Sequence, residues 1–127
     1  EGREYLEELG SIKLTDHFLR IQFIRDIDGY EIVPHTDTAN KRATLLCHMT
    51  DLKDKGTQLM NNNMEIIKRS PSSKNNALMF FPNYSNFIKT YHGFINTEID
   101  TYRDILMINY FRTSEVVTDG GLWKIKG

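Results

Sequence analysis

The chain has few of the features that mark extracellular, membrane-spanning or nucleic-acid-binding proteins. Its 127 residues include one cysteine, Cys47, which cannot form an internal disulfide and favours a reducing compartment such as the cytoplasm. Its apolar runs fall short of the roughly 20 residues that a membrane-spanning helix requires. Sixteen basic residues against 17 acidic ones give a net charge of -1, without the positive field that attracts nucleic acid or anionic lipid. We therefore expect a cytoplasmic protein with a small-molecule or peptide ligand, and neither a nucleic-acid nor a membrane partner.

The residues that are present are typical of one folded domain. Hydrophobic residues make up 39% of the chain and charged residues 26%, which is enough apolar surface for a core. A chain of 127 residues lies in the usual range for a single domain. The sequence predicts one domain over residues 1–127, with a helical flank at 1–18, a barrel core at 19–112 and a C-terminal extension at 113–127.

Local patterns predict a short helix followed by strands. Tyr5, Leu6 and Leu9 have helical spacing, which predicts a helix over Arg3–Leu9, and a second helical turn is predicted over Leu14–Phe18. Beyond residue 18, short apolar segments are separated by Gly, Pro, Asn, Asp and Ser, which is typical of strands and turns. The predicted strands are Leu19–Ile27, Tyr30–Val33, Ala43–Met49, Gln58–Met60, Met64–Lys68, Ala77–Phe81, Ile88–Phe94 and Ile105–Phe111. Short strands without crossover helices predict a β-sandwich or jelly roll.

Two histidines and one aspartate are candidate metal ligands. In an extended backbone His35 and Asp37 lie on the same face, so both can reach one metal ion. His92, at the end of a later aromatic strand, can supply a third ligand. Two His and one carboxylate are the ligand set that non-haem Fe(II) oxygenases use. The alternatives are a surface turn for the His-x-Asp pair and, for His92, a structural histidine bonded to the backbone.

Arg103 is the candidate anion-binding residue. By strand alternation it shares a face with Ile105 and Met107, which predicts that its guanidinium enters the interior. A buried charge requires an anionic partner, and a bound carboxylate can accept two parallel hydrogen bonds from arginine. The alternative is an exposed arginine at the end of a strand.

Taken together, these residues resemble a known family. The order His-x-Asp, a distal His and an Arg some ten positions later is similar to that of the Fe(II) and 2-oxoglutarate-dependent dioxygenases, whose fold is the double-stranded β-helix or jelly roll. The likeness covers roughly residues 30–110 and is greatest to the prolyl-hydroxylase-like branch. The segments that carry it are Gly29-Tyr30, Pro34–Thr38, Lys41, Ala43–Leu46, Gly56-Thr57, Asn76–Phe81, Tyr91–Phe94 and Arg103–Leu106.

The resemblance implies a cofactor set and a reaction. Fe(II) would be bound by His35, Asp37 and His92, and 2-oxoglutarate would chelate the iron while Arg103 holds its distal carboxylate. Thr44 and His48 are further cosubstrate-binding candidates; His48 stands near the position of a family tyrosine, and the alternative is that it fills the core. The implied reaction uses O2, with ascorbate as an additional cofactor to consider, to couple decarboxylation of 2-oxoglutarate to hydroxylation of a substrate such as a peptidyl side chain.

Other functions remain open at the level of sequence. A cupin-like metal enzyme would share the barrel and the metal ligands but would not need Arg103. A jelly-roll binding module would need no metal, and an inactive dioxygenase would keep the ligands without turnover. The helices that usually brace the family's barrel are nearly absent. A homo-oligomer formed through a sheet edge or Trp123 is also open.

Overall fold

The computed structural model describes residues 2–82, 89–114 and 123–125, without the side chain of Trp123. Within these residues, one N-terminal helix precedes strands that form two antiparallel sheets, so the prediction of a mainly β fold is confirmed. The elements are α1 (Gly2–Gly10), β1 (Phe18–Ile27), β2 (Ile32–His35), β3 (Lys41–His48), β4 (Gln58–Met60), β5 (Ile66–Arg69), β6 (Ala77–Phe80), β7 (Tyr91–Phe94), β8 (Tyr102–Phe111) and β9 (Trp123–Lys124).

The helical turn predicted over Leu14–Phe18 is wrong. Asp16 has a φ of 64°, in the left-handed region, which interrupts a right-handed helix. The backbone N–H of His17 donates to the carbonyl of Leu14 at 3.1 Å, so the segment forms a tight turn leading into β1. Leu14 is fully buried, which accounts for the apolar residue that suggested a helix.

Several strand boundaries also differ from the prediction. Strand β2 covers Ile32–His35, two residues later than expected, and therefore includes Pro34. A proline is tolerated there because β2 is the edge strand of its sheet, where an N–H donor is not needed on the outer side. Strand β8 begins at Tyr102, and β9 was not predicted. The strand expected over Ile88–Phe94 is observed over Tyr91–Phe94, and residue 88 lies outside the described residues.

The two sheets have the orders β6-β3-β8-β1-β9 and β2-β7-β4-β5. Strands β1 and β8 form the longest pair, which runs without a register shift from Phe18 opposite Phe111 to Ile27 opposite Tyr102. Residues of both sheets line one cavity, so the inner faces of the sheets enclose it between them. In the described part of the chain, no helix has the length and apolar character needed to cross a membrane.

Helix α1 covers part of the outer face of the five-stranded sheet. Its buried Leu6 packs in a cluster with Leu14, Ala43 and Tyr110. Farther along the same face, β1 leaves apolar side chains exposed, including Phe23 with 60% of its surface accessible. The cluster under α1 therefore lies on the opposite face of this sheet from the cavity between the sheets.

At the end of β1 and the start of β8, two consecutive residue pairs join an arginine to an aspartate. Arg25 lies opposite Asp104, and its Nε and Nη2 donate to the two carboxylate oxygens at 2.7 Å each. Asp26 lies opposite Arg103, whose Nε and Nη2 both donate to Oδ2 of Asp26, at 2.8 and 2.6 Å. Because neighbouring strand residues point to opposite faces, the first pair lies on the outer face of the sheet and the second on the inner face.

Candidate metal centre and its cavity

Pairing of β2 with β7 brings the candidate ligands together. His35, the last residue of β2, lies directly opposite His92 on β7, and Asp37 follows His35 by two residues. One ligand atom from each of the three side chains lies within 4.8 Å of the others. The three residues that the sequence suggested as metal ligands therefore form one group that could hold a metal ion.

Backbone hydrogen bonds orient both imidazoles in the same way. Nδ1 of His35 lies 2.9 Å from the carbonyl oxygen of Val33, and Nδ1 of His92 lies 3.0 Å from that of Thr90. A carbonyl oxygen can only accept, so each Nδ1 carries the hydrogen and each Nε2 keeps its lone pair. This is the arrangement that holds metal-binding histidines in the correct tautomer.

Asp37 supplies a carboxylate oxygen that lacks a partner. The residue is 8% exposed, and its Oδ1 accepts a hydrogen bond of 2.6 Å from Nζ of Lys41. Its Oδ2 is buried without a hydrogen bond and lies 3.9 Å from Nε2 of His92. A buried carboxylate oxygen without a donor is costly, and a cation bound between Oδ2 and the two Nε2 atoms would satisfy it. The donor set therefore fits a divalent metal ion.

Burial also keeps His92 in the form that binds metal. Desolvation lowers the pKa of His92 below its usual value, and this effect outweighs the backbone bond to Thr90 and the nearby charge of Asp37, which raise it. The ring of Phe80 contributes to this burial, with its centroid 4.7 Å from that of His92. A neutral imidazole at neutral pH has no proton to release when a metal binds.

Acidification should destabilise the metal-free protein through two histidines. Burial lowers the pKa of both His92 and His48 in the folded state, so below pH 6.5 the unfolded chain binds protons that the folded chain does not. Each of these histidines should lower the free energy of unfolding by up to about 1.4 kcal/mol for each pH unit below its pKa in the unfolded chain. Urea unfolding at pH 7.5, 6.5 and 5.5 should show this fall, with a shallower slope for His48→Gln. Equal slopes for the two proteins would contradict the prediction.

The metal group, as we call His35, Asp37 and His92 together, opens into the cavity between the sheets, which has a volume of about 240 Å³. Its walls are mostly apolar and include residues of β1, β2, β3, β6, β7 and β8. Arg103 lines the same cavity, as its predicted role requires. The lining residues are Ile24, Asp26, Tyr30, Ile32, His35, Asp37, Lys41, Thr44, Leu46, Thr57, Phe80, His92, Gly93, Phe94, Arg103, Ile105 and Met107.

Arg103 enters the interior and has an anionic partner within the chain. The residue is 3% exposed, and the partner is Asp26, which is 2% exposed. The guanidinium also lies over the ring of Phe94 at 3.8 Å, and its Nη1 donates to the carbonyl of Lys55 at 2.9 Å. The sequence predicts a buried arginine paired with the carboxylate of a bound ligand, and it does not single out Asp26. These bonds use three of the five N–H groups of arginine, which leaves two for a ligand.

The two further cosubstrate candidates lie in different surroundings. Thr44 lines the cavity, where its hydroxyl donates to Oδ1 of Asn109 at 2.9 Å. His48 is 2% exposed and is not one of the described residues that line the cavity. Neither of its ring nitrogens has a hydrogen-bond partner, and burial, followed by the charge of Arg103, lowers its pKa. The structure thus brings Thr44 to the site and leaves His48 in the protein interior.

Comparison with known proteins adds no family to this description. A scan against protein-family models found no match, and a search of the curated proteins found no relative. We therefore infer the function from the geometry of the site and from the sequence resemblance.

Proposed function

We propose that this chain is a dioxygenase that uses Fe(II), 2-oxoglutarate and O2 to hydroxylate a small-molecule or peptide substrate. The observation that carries the proposal is the group formed by His35, Asp37 and His92, whose ligand atoms lie within 4.8 Å of one another. These residues would hold Fe(II), because two imidazoles and one carboxylate are the ligand set of non-haem Fe(II) oxygenases, which keep positions open for other ligands.

The order of the strands supports a jelly-roll fold for this enzyme. Leaving out β9, the sheets have the orders β6-β3-β8-β1 and β2-β7-β4-β5. The first three strands of the chain alternate between the two sheets, as do the last three of these eight. An eight-stranded, double-sheet jelly roll is built in this way, with the ligand bound between the sheets.

The chemistry would be divided between the cofactors and the protein. When bound, Fe(II) and 2-oxoglutarate supply the oxidising chemistry, with O2 as oxidant and succinate and CO2 as the products of the cosubstrate. The protein residues orient and enclose these groups. Hydrogen bonds that the two imidazoles donate to the carbonyls of Val33 and Thr90 fix their orientation, and Lys41 holds one oxygen of Asp37 so that the other would remain for the metal.

The cavity walls would orient the cosubstrate and exclude water. Apolar side chains such as Ile105 and Met107 lie on the same strand as Arg103 and line the same cavity. The two remaining N–H groups of Arg103 can donate to the distal end of an elongated ligand whose other end reaches the metal. Thr44 lies on β3, the strand next to β8 in the same sheet, and contributes a hydroxyl to the same cavity.

A cupin-like metal enzyme that does not use 2-oxoglutarate is the second candidate. The observation that favours it is the bond between Arg103 and Asp26, because the arginine charge already has a partner without any cosubstrate. Both candidates need the metal group, so iron binding alone does not distinguish them.

Anaerobic titration of the purified protein with Fe(II) and then 2-oxoglutarate tests the proposal. We expect a weak visible absorption band when the 2-oxo acid chelates the iron, and succinate formation when O2 is admitted. His92→Ala should lose the band. His17→Ala is the matched control, because Nδ1 of His17 also bonds a carbonyl two residues earlier but lies outside the group. Folded, iron-loaded protein with neither the band nor succinate would support the cupin-like alternative.

A further inference from the structure

The pair formed by Asp26 and Arg103 presents an unusual set of polar atoms to the cavity. Both hydrogen bonds that Arg103 donates to Asp26 go to Oδ2, and Oδ1 is buried without any donor. Two N–H groups of the guanidinium are also without a described acceptor. The pair therefore has no net charge and offers one unused acceptor next to unused donors.

Because the pair has no net charge, it gives a second carboxylate no net electrostatic advantage over an uncharged group. A carboxylate that binds Arg103 has to share the guanidinium with Asp26, and two like charges close together in a buried site repel each other. The other described cation in the cavity wall, Lys41, is itself 2.6 Å from Asp37. Each positive side chain in the cavity is therefore already matched by a carboxylate of the chain.

An uncharged group with both a donor and an acceptor can pair with the unused acceptor and with the unused donors. A carboxamide has an N–H that can donate to Oδ1 of Asp26 and an oxygen that can accept from Arg103. Burial makes these matches important, because the two residues are only 2% and 3% exposed and water cannot readily replace a missing partner.

We infer that Asp26 is a specificity-determining residue that makes the cavity accept 2-oxo acids with a terminal carboxamide about as well as the dicarboxylate 2-oxoglutarate. Asp26 neutralises Arg103 and supplies the acceptor for the amide N–H. The inference rests on the proposed function for the part of the ligand that chelates the metal, but the role of Asp26 concerns only its distal end.

Binding of two ligands to the Fe(II)-loaded protein tests this inference in the absence of O2. The ligands are 2-oxoglutarate and 2-oxoglutaramate, its 5-amide, and the readout is the dissociation constant of each. In the parent protein we expect constants that agree within about threefold, because the pair carries no net charge. In Asp26→Asn the dicarboxylate should bind at least about tenfold more tightly than the amide, because the like charge has been removed. Asp104→Asn, which alters the outer pair on the same strands, should leave the ratio as in the parent.

Two outcomes would overturn the inference. One is a parent protein that prefers the dicarboxylate by about a hundredfold or more, as an arginine with an available charge would. The other is an Asp26→Asn variant that binds the dicarboxylate more weakly than the parent does. The first comparison needs only the parent protein, so it stands even if the variant fails to fold.

A second measurement separates this inference from the proposed function. Metal-free Asp26→Asn has a buried arginine without its carboxylate, so glutarate should raise its melting temperature while leaving that of the parent unchanged. Glutardiamide, which has no carboxylate, is the matched control and should have little effect on the variant. Glutarate could stabilise Asp26→Asn although neither 2-oxo acid binds the iron-loaded protein. That result would contradict the proposed function and leave the role of Asp26 intact. Equal glutarate shifts in both proteins would overturn the role of Asp26 whatever the iron does.

Discussion

Replacing Asp37 by asparagine is expected to abolish Fe(II) binding at micromolar concentrations. The loss should exceed the roughly 10–100-fold that follows removal of an outer-shell partner, because Asp37 provides the anionic ligand itself. Its Oδ2 is the buried oxygen without a donor, and an amide would also leave the ammonium of Lys41 without its 2.6 Å carboxylate partner. Competition against a coloured iron chelator under anaerobic conditions measures the change.

Asp51→Asn is the matched control for this experiment. Asp51 also pairs with a lysine, Lys74, at 3.7 Å, but both side chains are exposed and lie outside the metal group. Its iron affinity should equal that of the parent. An Asp37→Asn protein that retains the affinity of the parent would remove Asp37 from the ligand set and with it the proposed iron site.

Replacing Arg103 by methionine is expected to destabilise the protein by about 3–5 kcal/mol, which is typical when one partner of a buried ion pair is removed. Asp26 would then be a carboxylate with 2% exposure and without its donors. Urea unfolding of the metal-free protein measures the loss. The double variant Asp26→Asn with Arg103→Met should recover part of it, because the uncompensated charge is removed.

Arg25→Met is the control on the outer face. Arg25 makes the same type of bond to Asp104, but about half of its side chain is accessible, so water compensates for much of the loss. If Arg103→Met is no more destabilising than Arg25→Met, the buried pair does not contribute to stability as described. The comparison also matters for function, because reduced cosubstrate binding in an unstable Arg103 variant would not by itself assign a binding role.

Sequence patterns were sufficient for the class of fold and for the group of residues that could hold a metal ion. Strand alternation depends on residues close together in the chain, so the inward positions of Thr44 and Arg103 followed from their neighbours. Once β2 and β7 are paired, the positions of His35 and His92 along their strands place the two side chains next to each other. Pro34 shows the limit of this reasoning, because a proline argues against a strand unless the strand is known to lie at an edge.

Asp26 could not be identified from local sequence. It lies two residues before the Asp28-Gly29 turn and resembles an ordinary polar residue at the end of a strand. Its partner is 77 positions away, and only the pairing of β1 with β8 brings the two together. The one available signal was the dipeptide Arg-Asp, which occurs at 25–26 and again at 103–104. The environment of His48 was similarly hidden, since alternation predicts burial but not the absence of hydrogen-bond partners.

The repeated Arg-Asp dipeptide also determines how β1 and β8 can align. In the observed register each arginine lies opposite an aspartate. A slip of one residue in one direction would place Arg25 opposite Arg103, and a slip in the other direction would place Asp26 opposite Asp104. Either misalignment puts like charges across the strand pair, and it also turns the inner face of one strand towards solvent. Of these three alignments, only the observed one pairs each arginine of β1 and β8 with an aspartate. The same alignment directs Arg103 into the cavity.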